Sequence, residues 1–335
     1  MKLLRHILII LAVTILFYML WGEFFGTSPE VSDLISNRST EFVDAEPATV
    51  SFLGTPLYAN EPTGESGKRM RAQLAEAMAQ HEDDPDAVDG FVWHGRRLAY
   101  LTRYAEAIEV YSHGLDLYPN EPHLLRHRGH RNITLRRLDD AILDFSRAAA
   151  AIEGQSDEVE PDGQPNEAGI PTSTLQTNIW YHSGLALYLK GEFETAAEYF
   201  QNSFDLAKND DMRVAAADWL YMSLRRAGRV DEADAAISFV MEDMDILENH
   251  GYHTRLLMYR GLISADSFEQ QLAKDKTGQA LAMLGYGLGN WYLMSGDTLA
   301  AFKVYQEVLD TESWAAFGFI AAEADLARLG VEQNQ

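Results

Sequence analysis

One short stretch of the sequence, residues 123–137, concentrates cationic and imidazole side chains. It reads HLLRHRGHRNITLRR and holds five arginines and three histidines, in a protein whose formal net charge is -24. Guanidinium groups bind carboxylates through charge-assisted hydrogen bonds. The stretch therefore predicts a site for the C-terminal carboxylate or an acidic strip of another polypeptide. The arginines are Arg126, Arg128, Arg131, Arg136 and Arg137.

An acidic stretch about 20 residues further on supplies possible internal partners for these arginines. Its carboxylates are Asp157, Glu158, Glu160 and Asp162. They lie in a segment rich in acids, prolines and glycines, which is too polar to form an element of the core. Either the arginines bind an external partner or they pair with this segment, and both hold if the segment acts as a lid. A surface ion pair contributes only about 0 to 1 kcal/mol, so energetics does not decide between the two.

The sequence gives little support for a metal site or for catalysis. His123, His127 and His130 share one helical face at a spacing acceptable for metal ligation, but the flanking arginines repel a cation and no carboxylate interleaves. The chain has no cysteine, which excludes thiolate sites and a cysteine nucleophile. No nucleotide-binding, metalloprotease or serine-hydrolase motif is present. We therefore expect no metal, no cofactor and no catalysis.

The elements that position these residues follow from a repeat of 34 residues. A small residue, an alanine twelve positions later and an aromatic four positions after that recur at this period, which is typical of the tetratricopeptide repeat. The chain resembles that family, and the resemblance implies an all-α superhelix of stacked helical hairpins with a groove lined by the first helix of each hairpin. The recurring pairs are Gly95 with Gly129, Ala107 with Ala141, Tyr111 with Phe145, and Phe91 with Leu125.

Further hairpins follow after the period breaks. The motif returns around Gly184, Tyr221 and Gly289, and the spacing between the last two leaves room for a degenerate unit with helices near residues 252–259 and 266–274. The C-terminal part is faintly similar to periplasmic lipoproteins of the NlpI type, although the lipid-bearing cysteine is absent. The final helix is more apolar than a simple cap requires. The array is thus predicted over residues 68–312, with an insertion at about 153–175 and a capping helix and tail over 313–335.

The register of the resemblance identifies the residues that should face the groove. In this family certain positions of the first helix point inward, and these positions hold Arg96, His123, Arg126 and His130 here. Together with Arg131 they form the predicted partner-binding groove.

The N-terminal 25 residues carry Lys2 and Arg5 and then a run of uncharged, apolar residues. The segment is either a membrane anchor or a cleaved signal peptide, and its length and the missing cleavage site favour the anchor. The preceding positive charges place the N-terminus in the cytoplasm and the bulk outside it, in the periplasm of a bacterium with two membranes. An extended linker is predicted over residues 26–67, where TVSFLGTPLY either packs on the array or docks on another subunit.

The acidic balance argues against nucleic acid as a partner. The sequence thus predicts a non-catalytic, membrane-anchored repeat scaffold for protein partners, as an accessory subunit of a membrane complex such as an energy-transducing assembly. One alternative is a mobile periplasmic adaptor for envelope enzymes. Another is an enzyme or ligand-binding protein whose site lies in the basic groove and acidic insertion.

Overall fold

The computed structural model of the protein describes residues 46–275 and 277–330. The chain divides into two units, Met1–Glu46 and Pro47–Gln335, and the described residues belong almost entirely to the second. The predicted anchor and residues 26–45 of the predicted linker lie outside the described residues and stay predictions. Residues 46–67, predicted as extended linker, instead contain two short β-strands and the start of a helix at Gly64. Within the described part, none of the helices combines the length and apolar character needed to cross a bilayer.

The described chain is helical apart from one small β-hairpin. Its elements are β1 (Thr49–Val50), β2 (Pro56–Leu57), α1 (Gly64–Asp83), α2 (Val88–Tyr100), α3 (Tyr104–Leu117), α4 (Pro122–Thr134), α5 (Leu138–Ile152), α6 (Leu175–Lys190), α7 (Phe193–Leu206), α8 (Asp210–Arg226), α9 (Val230–Ala236), α10 (His250–Tyr259), α11 (Ala265–Leu272), α12 (Gln279–Met294), α13 (Thr298–Leu309) and α14 (Phe317–Arg328).

From α2 to α13 the helices pair as six successive hairpins, which confirms the predicted tetratricopeptide-repeat architecture. The small residue of each motif lets an aromatic ring of the second helix lie against the first helix. A Cβ on Gly95 would come within 2.9 Å of Tyr111 Cδ1, and Gly129 stands in the same relation to Phe145. The degenerate hairpin α10–α11 lies within a few residues of its predicted helices, and Ser264 caps α11 by accepting a hydrogen bond from Ser267 N.

The first helices form one inner face. Each contacts the first helix of the next hairpin, in the series α2, α4, α6, α8, α10 and α12. This stacking places the inward positions of all six helices on one surface, which we call the inner face. It is the surface on which the resemblance places the binding groove.

Besides α1, which packs against α2, three segments outside the hairpins lie on the array. The β-hairpin packs against the core through the buried Leu57, while Thr49 Oγ1 donates to Leu135 O at 2.8 Å and Trp314 Nε1 donates to Tyr58 O at 2.7 Å. TVSFLGTPLY therefore packs on its own chain. Helix α14 packs on the last hairpin, as a cap would, and also contacts α6 three hairpins earlier. The third segment, residues 153–174 between α5 and α6, is the acidic insertion.

Candidate partner-binding groove

Helix α4 carries the arginine-rich stretch, and its start is fixed by local sequence. Pro122 occupies the first turn, where its missing N–H costs nothing, and the Glu121 carboxylate accepts from His123 N and His123 Nδ1. The cap and the contact of Gly129 with Phe145 together set the rotation of the helix. That rotation turns His123 and Arg126 toward the acidic insertion, and His130 toward α6 and α14.

The five arginines do not act together. Arg128 turns to its own hairpin, where Nη2 and Nε bond both oxygens of the buried Asp144 at 2.6 and 2.9 Å. Arg136 reaches the buried Glu323 of α14 at 2.9 Å. Arg137 is exposed to solvent. The structure therefore leaves Arg126 and Arg131 of this stretch for the groove.

The acidic insertion lies against α2, α4 and α6 and places one carboxylate inside the groove. Glu160 is 4% exposed, and Asn178 Nδ2 donates to its Oε2 at 2.8 Å. Arg126 Nε and His127 Nε2 each lie 3.2 Å from the same carboxylate. The segment that the sequence marks as too polar for the core thus contributes a buried residue, because Arg126 matches its charge and Asn178 donates to it.

The same segment is held by its backbone. Arg96 Nη1 donates to Pro161 O at 2.8 Å, and Arg97 Nη1 donates to Gly163 O at 2.9 Å. Two further bonds, Glu160 N to Ser173 O and Leu175 N to Glu158 O, pair it with the residues just before α6. Residues 158–163 are therefore held by side chains of first helices and by backbone hydrogen bonds near the start of α6.

The electrostatics of this contact are those of a buried ion pair with a neutral histidine beside it. Burial works to raise the pKa of Glu160, but Arg126 and His127 outweigh it and hold that pKa well below its usual range. Burial also lowers the pKa of His127 to about 3, and Arg126 adds to the effect. Arg126 Nη1 lies 2.9 Å from His127 Nδ1 and can only donate, so the ring proton sits on Nε2, toward Glu160.

The edges of the acidic insertion are held more weakly than its centre. His123 Nε2 lies 3.1 Å from the half-exposed Glu158. Asp157 Oδ1 accepts from Gln176 N at 3.1 Å. Asp162 is partly buried, and burial together with Glu248 raises its pKa. All four predicted acids therefore lie near the inner face, but Glu160 alone of these four enters the cluster formed by Arg126, His127 and Asn178.

Beyond the insertion, the inner face is covered by α14. The His130 ring packs on His182 and on Phe317, the first residue of α14, with centroids 4.5 and 5.2 Å apart. Further along, Asp325 accepts from Arg226 Nη1 at 2.7 Å and from Tyr286 OH at 2.8 Å. The predicted cap is thus also an occupant of the groove, which explains its apolar composition.

Arg131 is a groove cation that pairs neither with a carboxylate nor with the acidic insertion in the described part of the chain. Its guanidinium carbon lies 5.6 Å from the centroid of the Tyr104 ring, and within residues 46–275 and 277–330 no carboxylate lies within ion-pair distance of it. By contrast, Arg126, Arg128, Arg136, Arg226 and Arg255 each face an acid. The guanidinium group of Arg131 on the described inner face can therefore still pair with a carboxylate of a partner.

The structure adds residues that the sequence analysis missed. Arg97 and Asn178 bind the insertion, and His182 packs against His130. Asn178 stands at an inward position of its helix, so the register that identifies His123 would also have found it. Arg97 follows an inward position and reaches the groove through its length alone.

No family model matches the chain, and no curated protein sequence matches it either. A comparison of structures matches it to the crystal structure of YrrB, described as a TPR protein with an unusual peptide-binding site, at 16% identity and a TM-score of 0.41, over 71% of this chain and 92% of that one. It also matches PilW, described as a widely conserved type IV pilus biogenesis factor, at 16% identity and a TM-score of 0.43, over 73% of this chain and 86% of that one.

Proposed function

We propose that this protein is a non-catalytic scaffold that binds other proteins through the inner face of its first three hairpins. The observation that carries this proposal is the way the acidic insertion is held. Side chains of α2, α4 and α6 bind an extended segment by its carbonyl oxygens and by one carboxylate, which is how a groove binds a peptide. The surface therefore offers hydrogen-bond donors for the carbonyl oxygens and carboxylates of a protein partner.

The charge of this surface defines the partner as acidic. Arg96, Arg97, Arg126 and Arg131 converge there in a protein of net charge -24, and Arg131 faces no acid of the described chain. A partner carboxylate placed near Tyr104 would meet a partly desolvated guanidinium, where ion pairs are stronger than on an open surface.

We propose that this scaffold is attached to a membrane. The apolar segment 1–25 with its preceding positive charges supports an anchor whose repeats lie outside the cytoplasm. In this setting the protein acts as an accessory subunit of a larger membrane complex, for example an energy-transducing one. Migration in mild detergent tests the role: an accessory subunit co-migrates with its complex, whereas a mobile adaptor for envelope enzymes migrates alone.

Charge reversal tests the binding surface. Arg131→Glu should reduce recovery of acidic protein partners from detergent extracts at least tenfold, because it replaces the free cation by a repelling anion. Arg137→Glu is the matched control, since Arg137 is exposed on the same hairpin, and should leave recovery unchanged. Equal recovery of partners by both variants would contradict the proposal that the inner face is the binding surface.

A ligand-binding or enzymatic role in the same groove makes a different prediction. Among the described residues, no group of three or more histidines and acids is arranged to hold a metal ion. A ligand that binds the native state raises the melting temperature, so a panel of metals and small anions discriminates the two roles. A scaffold for protein partners should show no shift with the panel, and a clear shift would favour the small-molecule role.

A further inference from the structure

The acidic insertion shows which sequence the groove accepts. Its central residues are Glu160, Pro161, Asp162 and Gly163, and each meets the inner face in a different way. We treat Glu160 as position 0 of a bound strand. The contacts at positions 0, +1 and +3 then define what an occupant must supply.

Position 0 requires a carboxylate of a definite reach. The Glu160 side chain is 4% exposed and is surrounded by Arg126, His127 and Asn178. Its neighbour Val159 is 61% exposed, so the residue before the carboxylate is unconstrained. A neutral or cationic residue at position 0 would leave Arg126 buried without a counter-charge.

Position +1 is bound through its backbone, and position +3 favours glycine. Arg96 and Arg97 bind the carbonyls of Pro161 and Gly163, which places no demand on side chains. A Cβ on Gly163, however, would lie 2.7 Å from Tyr100 Cζ and 2.8 Å from Arg96 Nη2. Any side chain there would push away the arginine that holds position +1.

The built-in occupant leaves some polar groups without hydrogen bonds, so a competing segment has interactions to gain. Arg126 Nε and His127 Nε2 lie at ion-pair distance from Glu160 but outside hydrogen-bonding geometry. Asp162 Oδ2 is buried and has no hydrogen-bond partner within the described chain. A competing strand that aligns its carboxylate better, and carries no acid at +2, would satisfy more of these groups.

We propose that residues 158–163 are a built-in competitor occupying a site for extended partner segments of sequence Glu-x-x-Gly, and that a partner binds by displacing them. This inference rests on the proposed scaffold function and names the partner sequence. The backbone groups of Ser173 and Leu175, which pair with Glu160 and Glu158, would then pair with the incoming segment.

The test is binding of a labelled peptide of residues 156–165 to the full chain in mild detergent, measured by fluorescence anisotropy. A tethered segment acts at an effective concentration on the order of millimolar, so for a peptide that binds an opened variant with a Kd of about 10 μM, the wild-type chain should bind it roughly 100-fold more weakly. Glu160→Lys opens the groove by repulsion from Arg126. A second opened variant replaces residues 156–171 with four glycine and serine residues, the length of the segment that joins α3 to α4.

Peptide variants test the sequence requirement. In the opened chains, a peptide carrying Glu160→Gln or Gly163→Val should bind at least tenfold more weakly, whereas Asp162→Asn should bind at least as well as the native peptide. Equal binding of the Gln and Glu peptides would mean that the carboxylate at position 0 is not recognised and would overturn the inference. So would a failure of both opened variants, folded by circular dichroism, to bind the native peptide. If protein partners still depend on Arg131 in that case, the scaffold function stands and the partner sequence alone is wrong.

Discussion

Three histidines in the middle of the inner face should make the protein acid-sensitive in a narrow pH range. Burial lowers the pKa of His127 to about 3 and moves the pKa values of His130 and His182 well below their usual value, and nearby arginines add to each shift. The unfolded chain therefore binds more protons than the folded one below about pH 6.5. Stability is present above that pH and is lost as the pH falls toward the folded values.

The magnitude follows from linkage. Each histidine that stays neutral when folded lowers the free energy of unfolding by about 2 kcal/mol between pH 7.5 and pH 5.0. Three together lower it by up to about 6 kcal/mol, a large part of what an ordinary domain has. His94, whose pKa burial also lowers, acts in the same direction. His123 opposes them, because Glu121 and Glu158 outweigh burial and raise its pKa.

Guanidinium denaturation followed by circular dichroism at the two pH values measures this difference, since carboxylates titrate mostly below pH 5. His182→Gln should reduce the difference by about 2 kcal/mol. His250→Gln, at an exposed position, should leave it unchanged. A wild-type difference below about 1 kcal/mol, or an equal difference in wild type and His182→Gln, would refute the reasoning.

Four further predictions concern the array and its occupants. Asp218→Ala should lower the free energy of unfolding by about 3 to 5 kcal/mol, because it leaves Arg255 without a counter-charge. Arg255 is 0% exposed and bonds Asp218 through Nε at 2.7 Å. Denaturation midpoints measure the change, and a loss below about 1 kcal/mol would contradict the prediction. Asp325→Ala should speed hydrogen exchange in α14, since it frees Arg226 and Tyr286, whereas exchange in α2 should not change. Gly95→Ala should cost about 1 to 3 kcal/mol by displacing the Tyr111 ring, which denaturation midpoints measure. Thr102→Gly should stabilise the protein by about 1 kcal/mol, because Thr102 holds a φ of 63° that β-branched residues avoid; a lower melting temperature would count against this.

The repeat pattern was enough to predict the hairpins because their packing is local. Gly95 and Tyr111, which contact each other, are only 16 residues apart. The repeat motif contains both, as the small residue and as the aromatic residue four positions after an alanine, so the motif predicts their contact directly. The same register predicted that Arg126 and His130 face inward. The degenerate hairpin followed from spacing alone, since two periods separate Tyr221 from Gly289.

The segments that cover the inner face could not be predicted from the repeat pattern. Arg136 pairs with Glu323 at a separation of 187 residues, and no local pattern relates the two. Arg126 and Arg128 differ by two positions, yet one binds the acidic insertion and the other its own hairpin, because two residues are about 200° around a helix.

The arginine-rich stretch and the acidic insertion were both evident from composition, and the sequence left open whether they meet. Only the tertiary structure decides that Glu160 enters the groove, that Arg131 is left over, and that α14 covers the remainder. The reason is that local contacts fix the helices and their rotation. The choice of what fills a groove between distant helices depends instead on the stacking of the hairpins, which brings together groups that are far apart in the sequence.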